Sequence, residues 1–90
     1  MTLFTRNADY LWLTADPLVR RGYADALASR PFQANSQWAR AETVAYEAGF
    51  ELGHCLREMF CDHISGPYGV DKICATLRRV VTEARREEAS

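Results

Sequence analysis

The sequence predicts an all-α fold, a small bundle of three main helices at about residues 16–29, 36–63 and 70–86 with a short N-terminal element. Three observations carry this prediction. Apolar residues recur at three- and four-residue spacing through three long segments. Each segment is bounded by residues that start or stop helices: Asp16-Pro17, Pro31, Asn35-Ser36 and Ser65-Gly66-Pro67-Tyr68-Gly69. Within the middle segment, Ala41, Ala45, Gly49 and Gly53 recur every fourth position, forming one continuous row of small residues on a helix. Two glycines inside a helix cost about 1 kcal/mol each relative to alanine. Their presence predicts close approach by another backbone, from helix one, from helix three or from a second copy.

Residues 1–15 hold the run Tyr10-Leu11-Trp12-Leu13-Thr14. Its aromatic and β-branched content suits a strand, but a lone strand has no pairing partner elsewhere. A short helix capped by Thr5 or Asn7, or an ordered arm that packs Trp12 on the core, fits better. Asp16 is then a good N-cap and Pro17 sits at the first helical position, where its missing N–H costs nothing. Val19, Tyr23 and Ala26/Leu27 form the inward stripe of this first helix, which stops near Ser29 because Pro31 disfavours helical geometry at Arg30. Residues 30–36 form a loop.

Asn35 or Ser36 caps the second helix. Trp38, Ala41, Ala45, Ala48, Leu52, Cys55 and Met59 make its buried stripe, flanked by Tyr46, Phe50 and Phe60. Glu47, Glu51, Glu58 and Asp62 make its outer face acidic. In the third helix the stripe is Val70, Ile73, Leu77, Val80/Val81 and Ala84. Glu87 and Glu88 place acid at that helix's C-terminus, where the macrodipole opposes it, so this end is expected to fray.

Ninety residues make one domain, 1–90, which buries about 60–68% of its unfolded surface in a single modest core. Hydrophobic content of 48% and charged content of 26% are those of a globular chain rather than a disordered one. The net charge of −1 argues against broad electrostatic attraction to nucleic acid, so direct nucleic-acid binding is not favoured. No run approaches the ~18 apolar residues of a membrane span, and no signal-peptide pattern opens the chain. A cytoplasmic location and no membrane partner are the expectations.

Chemistry-bearing clusters are sparse. Cys55, Cys61 and Cys74 are an odd number, which suits reduced thiols rather than a disulfide framework. With His54 and His63 they include zinc-ligand types, but Cys55 and Cys61 lie about 240° apart around a helix and no Cys-x-x-Cys or His-x-x-x-His occurs. No metal site, cofactor or catalytic residue is predicted, and neither a phosphate loop nor a nucleophile elbow is present. The basic pairs Arg78-Arg79 and Arg85-Arg86 are two turns apart on one face. Together with Arg20 and Arg21 they form a candidate patch for phosphate or an acidic protein surface, the plainer reading being a solvated face neutralised by Glu83 and Glu87. Tyr10, Trp12, Trp38 and Tyr68 are the aromatics expected to keep a wet edge, and Trp12 and Tyr68 join the arginines as candidate contact residues with the composition of an interface hot spot.

Gly22-Tyr23-Ala24-Asp25-Ala26-Leu27, then Arg30-Pro31-Phe32, then Tyr46-Glu47-Ala48-Gly49-Phe50-Glu51-Leu52-Gly53 resemble the ribosome modulation factor family of small bacterial helical proteins. The resemblance covers roughly residues 20–57. It implies a helix–loop–helix core and binding to ribosomal RNA. The chain departs from the family in its near-neutral charge, its longer loop between Phe32 and Tyr46, and its third helix. A looser similarity is to small helical proteins of phages and mobile elements that block a host protein, anti-CRISPR proteins among them. The leading expectation is a non-catalytic regulator or inhibitor docking on a protein or ribonucleoprotein assembly. A ribosome-associated factor is second, and a thiol- or zinc-dependent activity third. The small-residue ridge would also serve an isologous homodimer.

Overall fold

A computed structural model describes the backbone of residues 8–59 and 66–89 and the side chains of residues 8–57 and 72–89. The fold is all-α, with helices α1 (Ala8–Ala15), α2 (Pro17–Leu27), α3 (Arg40–Met59) and α4 (Gly66–Ala89). The N-terminal element is the helix α1. The proposed caps Thr5 and Asn7 lie outside the described residues, as do Phe60–His63 at the expected end of the second helix. α1 packs on α2 and α4, α2 on α3, and α3 on α4, so the four helices close a ring. Leu13, Val19, Leu52, Leu56, Cys74 and Val81, from all four helices, fill its centre.

Asp16 separates α1 from α2 as the cap its sequence position predicts. Its Oδ1 accepts from the backbone N–H groups of Leu18 (2.9 Å) and Val19 (3.3 Å), with Pro17 opening the helix. At the other end α2 stops in a Schellman motif. Arg30 N–H bonds the Asp25 carbonyl (2.8 Å), Ser29 N–H bonds that of Ala26 (3.1 Å), and Ser29 takes the left-handed conformation at φ 60°. The cause of the stop is thus this 6→1 closure at Ser29, with Pro31 preventing any resumption.

The small-residue ridge of α3 faces α2. A β-carbon on Gly49 would overlap the Val19 carbonyl oxygen and lie 2.6 Å from the Val19 carbonyl carbon. One on Gly53 would lie 2.6 Å from Ala26 Cβ and 2.8 Å from the Tyr23 carbonyl oxygen. α2 answers with its own glycine: a β-carbon on Gly22 would overlap the Tyr46 carbonyl oxygen and lie 2.8 Å from Phe50 N. Backbone meets backbone at this crossing, which no residue with a side chain permits.

Several boundaries and stripe positions differ from expectation. α3 begins at Arg40, not at residue 36, because Asn35 spends its side chain on a local turn: Oδ1 accepts from Gln37 N–H at 2.8 Å and the Asn35 carbonyl from Trp38 N–H at 3.1 Å. The loop therefore runs from 28 to 39. α4 begins at Gly66, four residues early, since Pro67 in a first turn starts a helix rather than breaking one. In α4 the predicted Leu77, Val81 and Ala84 are buried and Cys74 joins the stripe fully buried, but of the Val80/Val81 pair Val80 is 44% exposed. Leu27 is likewise exposed.

The C-terminus of α4 holds helical structure to Ala89 because its acids serve another helix. Glu88 Oε2 accepts from Ala41 N–H at 2.8 Å, and Glu87 pairs with Arg40. α3 opens on Ala39, which has no capping oxygen, while Glu42 bonds back to Ala39 N–H at 2.9 Å. Glu88 thus replaces the missing cap from the antiparallel neighbour and sits at a helix N-terminus, where the macrodipole favours a carboxylate. Glu88→Ala is expected to lower stability by about 0.5–1 kcal/mol and to speed hydrogen exchange at Ala41, measured by urea denaturation and by NMR.

Candidate docking surface

The loop at 28–39 and the adjoining faces of α2 and α3 form an ordered, aromatic, basic surface. Residues 27–37 are all exposed, with Trp38 half-buried behind them. A run this polar is held to the fold by one buried pair. Asp25 lies on the inward side of α2, 6% exposed, and Tyr46 of α3 is fully buried. Tyr46 donates its hydroxyl hydrogen to Asp25 Oδ2 at 2.6 Å and accepts from Gln33 N–H at 3.1 Å. Arg30 Nη1 completes the carboxylate at 3.0 Å. Donation from Tyr46 first, and from Arg30 second, holds Asp25 below the usual carboxylate range, while burial and then the Asp25 bond push the Tyr46 phenol up.

Rings continue the tether outward. Phe32, 47% exposed, packs its ring 5.3 Å from that of Tyr46 and 5.4 Å from that of Phe50. Trp38 lies 5.3 Å from Tyr46 on the other side, and the Arg21 guanidinium sits over Trp38 at 5.7 Å. The His54 ring lies 5.1 Å from that of Phe50, tilted by 58°. Arg57 reaches back from α3 to the Ala26 carbonyl at 3.1 Å, closing a backbone acceptor at the end of α2. The segment 26–41 contains Arg30 and Arg40 and no carboxylate.

The residues singled out from sequence are distributed differently. Arg78 and Trp12 do come together, but with each other: the guanidinium lies 5.0 Å from the Trp12 ring and pairs with Asp9 at 3.1 Å. Arg85 pairs with Asp16, and Arg20 Nε donates to the Thr14 carbonyl at 3.2 Å. Arg78, Arg85, Arg20 and Trp12 therefore knit α1 to α2 and α4. Arg79 and Arg86 are exposed on α4. Arg21 belongs to the loop surface instead, and the side chain of Tyr68 lies outside the described residues. Of the six arginines, Arg20 and Arg85 meet at the α1–α2 junction, on Thr14 and Asp16, while Arg21 lies over Trp38.

Phe32 and Arg30, together with the Asp25–Tyr46 tether beneath them, are parts of this candidate surface that spacing did not single out, while Trp38, expected to keep a wet edge, is half-buried in it. One signal was present: Asp25 follows Gly22 by three positions and precedes Ala26, so it falls on the stripe that faces α3, where a carboxylate requires a donor. Cys74 is a buried core residue and Cys55 is half-buried beside His54. Among the described residues no three His, Cys, Asp or Glu side chains are grouped to hold a metal ion; Cys61 and His63 lie outside them. No helix among the described residues is long and apolar enough to cross a membrane. No family model matches this chain, and neither a curated protein nor a solved structure matches it.

Proposed function

We propose that this chain is a non-catalytic binding protein, a small regulator or inhibitor that docks through the 28–39 loop surface onto a larger protein or ribonucleoprotein assembly. The observation that supports this reading is the tether: the buried Asp25–Tyr46 pair, with Phe32 and Trp38 packed on Tyr46, ties a largely exposed loop to the core. Ordering a loop before binding removes an entropic cost of association. Phe32 and Trp38, flanked by Arg21 and Arg30, have the composition that concentrates binding energy at interfaces. Proteins of phages and mobile elements that block host machinery, anti-CRISPR proteins among them, act in this way. Affinity capture from a bacterial lysate tests it. The wild-type chain is expected to recover a stoichiometric partner that Phe32→Ala, at unchanged helicity, releases by tenfold or more, about 1.4 kcal/mol. Recovery of no stoichiometric partner defeats the reading.

A ribosome-associated role of the modulation-factor type is the second reading. It is favoured by the convergence of the resembling residues: Gly22, Asp25, Phe32, Tyr46, Gly49 and Phe50 meet in one cluster, topped by a loop free of carboxylates. Phosphate binding requires cations, and the exposed Arg21 supplies one over Trp38. Sucrose-gradient sedimentation separates the two readings, because absence from every ribosomal fraction excludes the second.

A further inference from the structure

A second surface, independent of the loop, lies between α3 and α4. Two concavities of about 220 and 230 Å³ share Glu51, Thr76 and Leu77 and together make one groove. Its floor is apolar: Val44 and Ala48 from α3, Ile73, Leu77 and Val80 from α4. Val80 stands 44% exposed there, although α4 has buried positions one residue on. The rim is acidic. Glu47 and Glu51, exposed on α3, line it, and beyond the lining on α4 Glu83 follows Val80 by three positions, as the exposed Arg79 follows Thr76. Lys72 is the single cation among the residues lining the two concavities, and it stands at one end.

We infer that this groove receives an amphipathic helix with basic flanks from a partner protein. The space between two packed helices is the seat of helix-in-groove recognition, in which anchors at i, i+3 or i+4, and i+7 enter the floor. Charge decides the occupant. A second copy docked by a two-fold axis would set Glu47, Glu51 and Glu83 against the same carboxylates. Lysine or arginine beside the anchors instead meets them with opposite charge. This surface stands apart from the loop at 28–39 and does not depend on the reading given to it.

The test is an NMR titration of the whole isotope-labelled chain with a leucine–lysine amphipathic peptide of about four helical turns. A leucine–glutamate peptide of the same pattern is titrated in parallel. The lysine peptide is expected to shift the amides of Val44, Ala48, Thr76 and Val80, and the glutamate peptide to shift none of them. The double variant Glu47→Lys/Glu51→Lys, whose sites are exposed, is expected to bind the lysine peptide about tenfold more weakly. Val80→Ser removes apolar surface from the floor and is expected to weaken it about threefold. Shifts centred on residues 30–38, or equal binding by the double variant or of both peptides, overturn the inference. Concentration-dependent shifts at the same amides without peptide also overturn it, by assigning the groove to a second copy.

Discussion

Gly49→Ala is expected to destabilise the protein by about 2–3 kcal/mol, against the direction that helix propensity alone sets. In an ordinary helix interior this change gains about 1 kcal/mol. Here the new methyl overlaps the Val19 carbonyl group, which is backbone and cannot turn aside. α2 and α3 must separate, and the buried contacts of Val19, Ala45 and Leu52 open with them. Gly22→Ala, which overlaps the Tyr46 carbonyl, is expected to behave alike. Gly53→Ala is expected to cost less, since its nearest neighbour is the Ala26 methyl. Urea denaturation followed by circular dichroism measures all three. A stabilised Gly49→Ala would show that the crossing is not close.

Tyr46→Phe is expected to lose about 1–3 kcal/mol at neutral pH, because one buried hydroxyl serves both the buried Asp25 carboxylate and the Gln33 N–H of the loop. Asp25 loses its shorter donor and Gln33 N–H loses its acceptor. The ring contacts to Phe32, Trp38 and Phe50 remain, so the variant isolates the polar tether from the packing. The loss carries a pH signature. Asp25 has its pKa lowered on folding, so its contribution is present above the unfolded value of about 3.9 and fades as pH falls through the folded one. The gap between wild type and Tyr46→Phe is therefore expected to narrow as pH drops below about 4. Tyr46 has its pKa raised, so its contribution is complete below the unfolded value of about 10 and is lost as pH rises through the folded one. A gap that stays constant from neutral to acid pH would assign the effect to packing alone. Amide exchange at Gln33, faster in the variant, reports the released loop directly.

The two changes bear on function through one structure. The glycine crossing places Tyr46 under α2, and Tyr46 then fixes the loop that carries Phe32 and Arg30. Loosening either end is expected to weaken capture of a partner without removing any contacting residue.

Helices were legible in the sequence wherever local chemistry decides. The Asp16-Pro17 start of α2, its stop near Ser29 and the all-α class follow from caps, proline geometry and periodicity, which act within a few residues. The ridge Ala41–Ala45–Gly49–Gly53 also announced a close neighbour, because small residues at that spacing have a cost that only packing offsets. Tertiary structure decided the rest. It chose α2 as that neighbour and, at the Arg40 start of α3, supplied Glu88 as a cap from 47 residues away. It turned Glu87 and Glu88 from a fraying end into a stabilised one. It drew Arg78, Arg85 and Trp12 into contacts that hold α1, and left Phe32 and Arg30 exposed on the loop surface. Charge and hydrogen bonding act through space, and residues distant in sequence become partners only once the helices have packed.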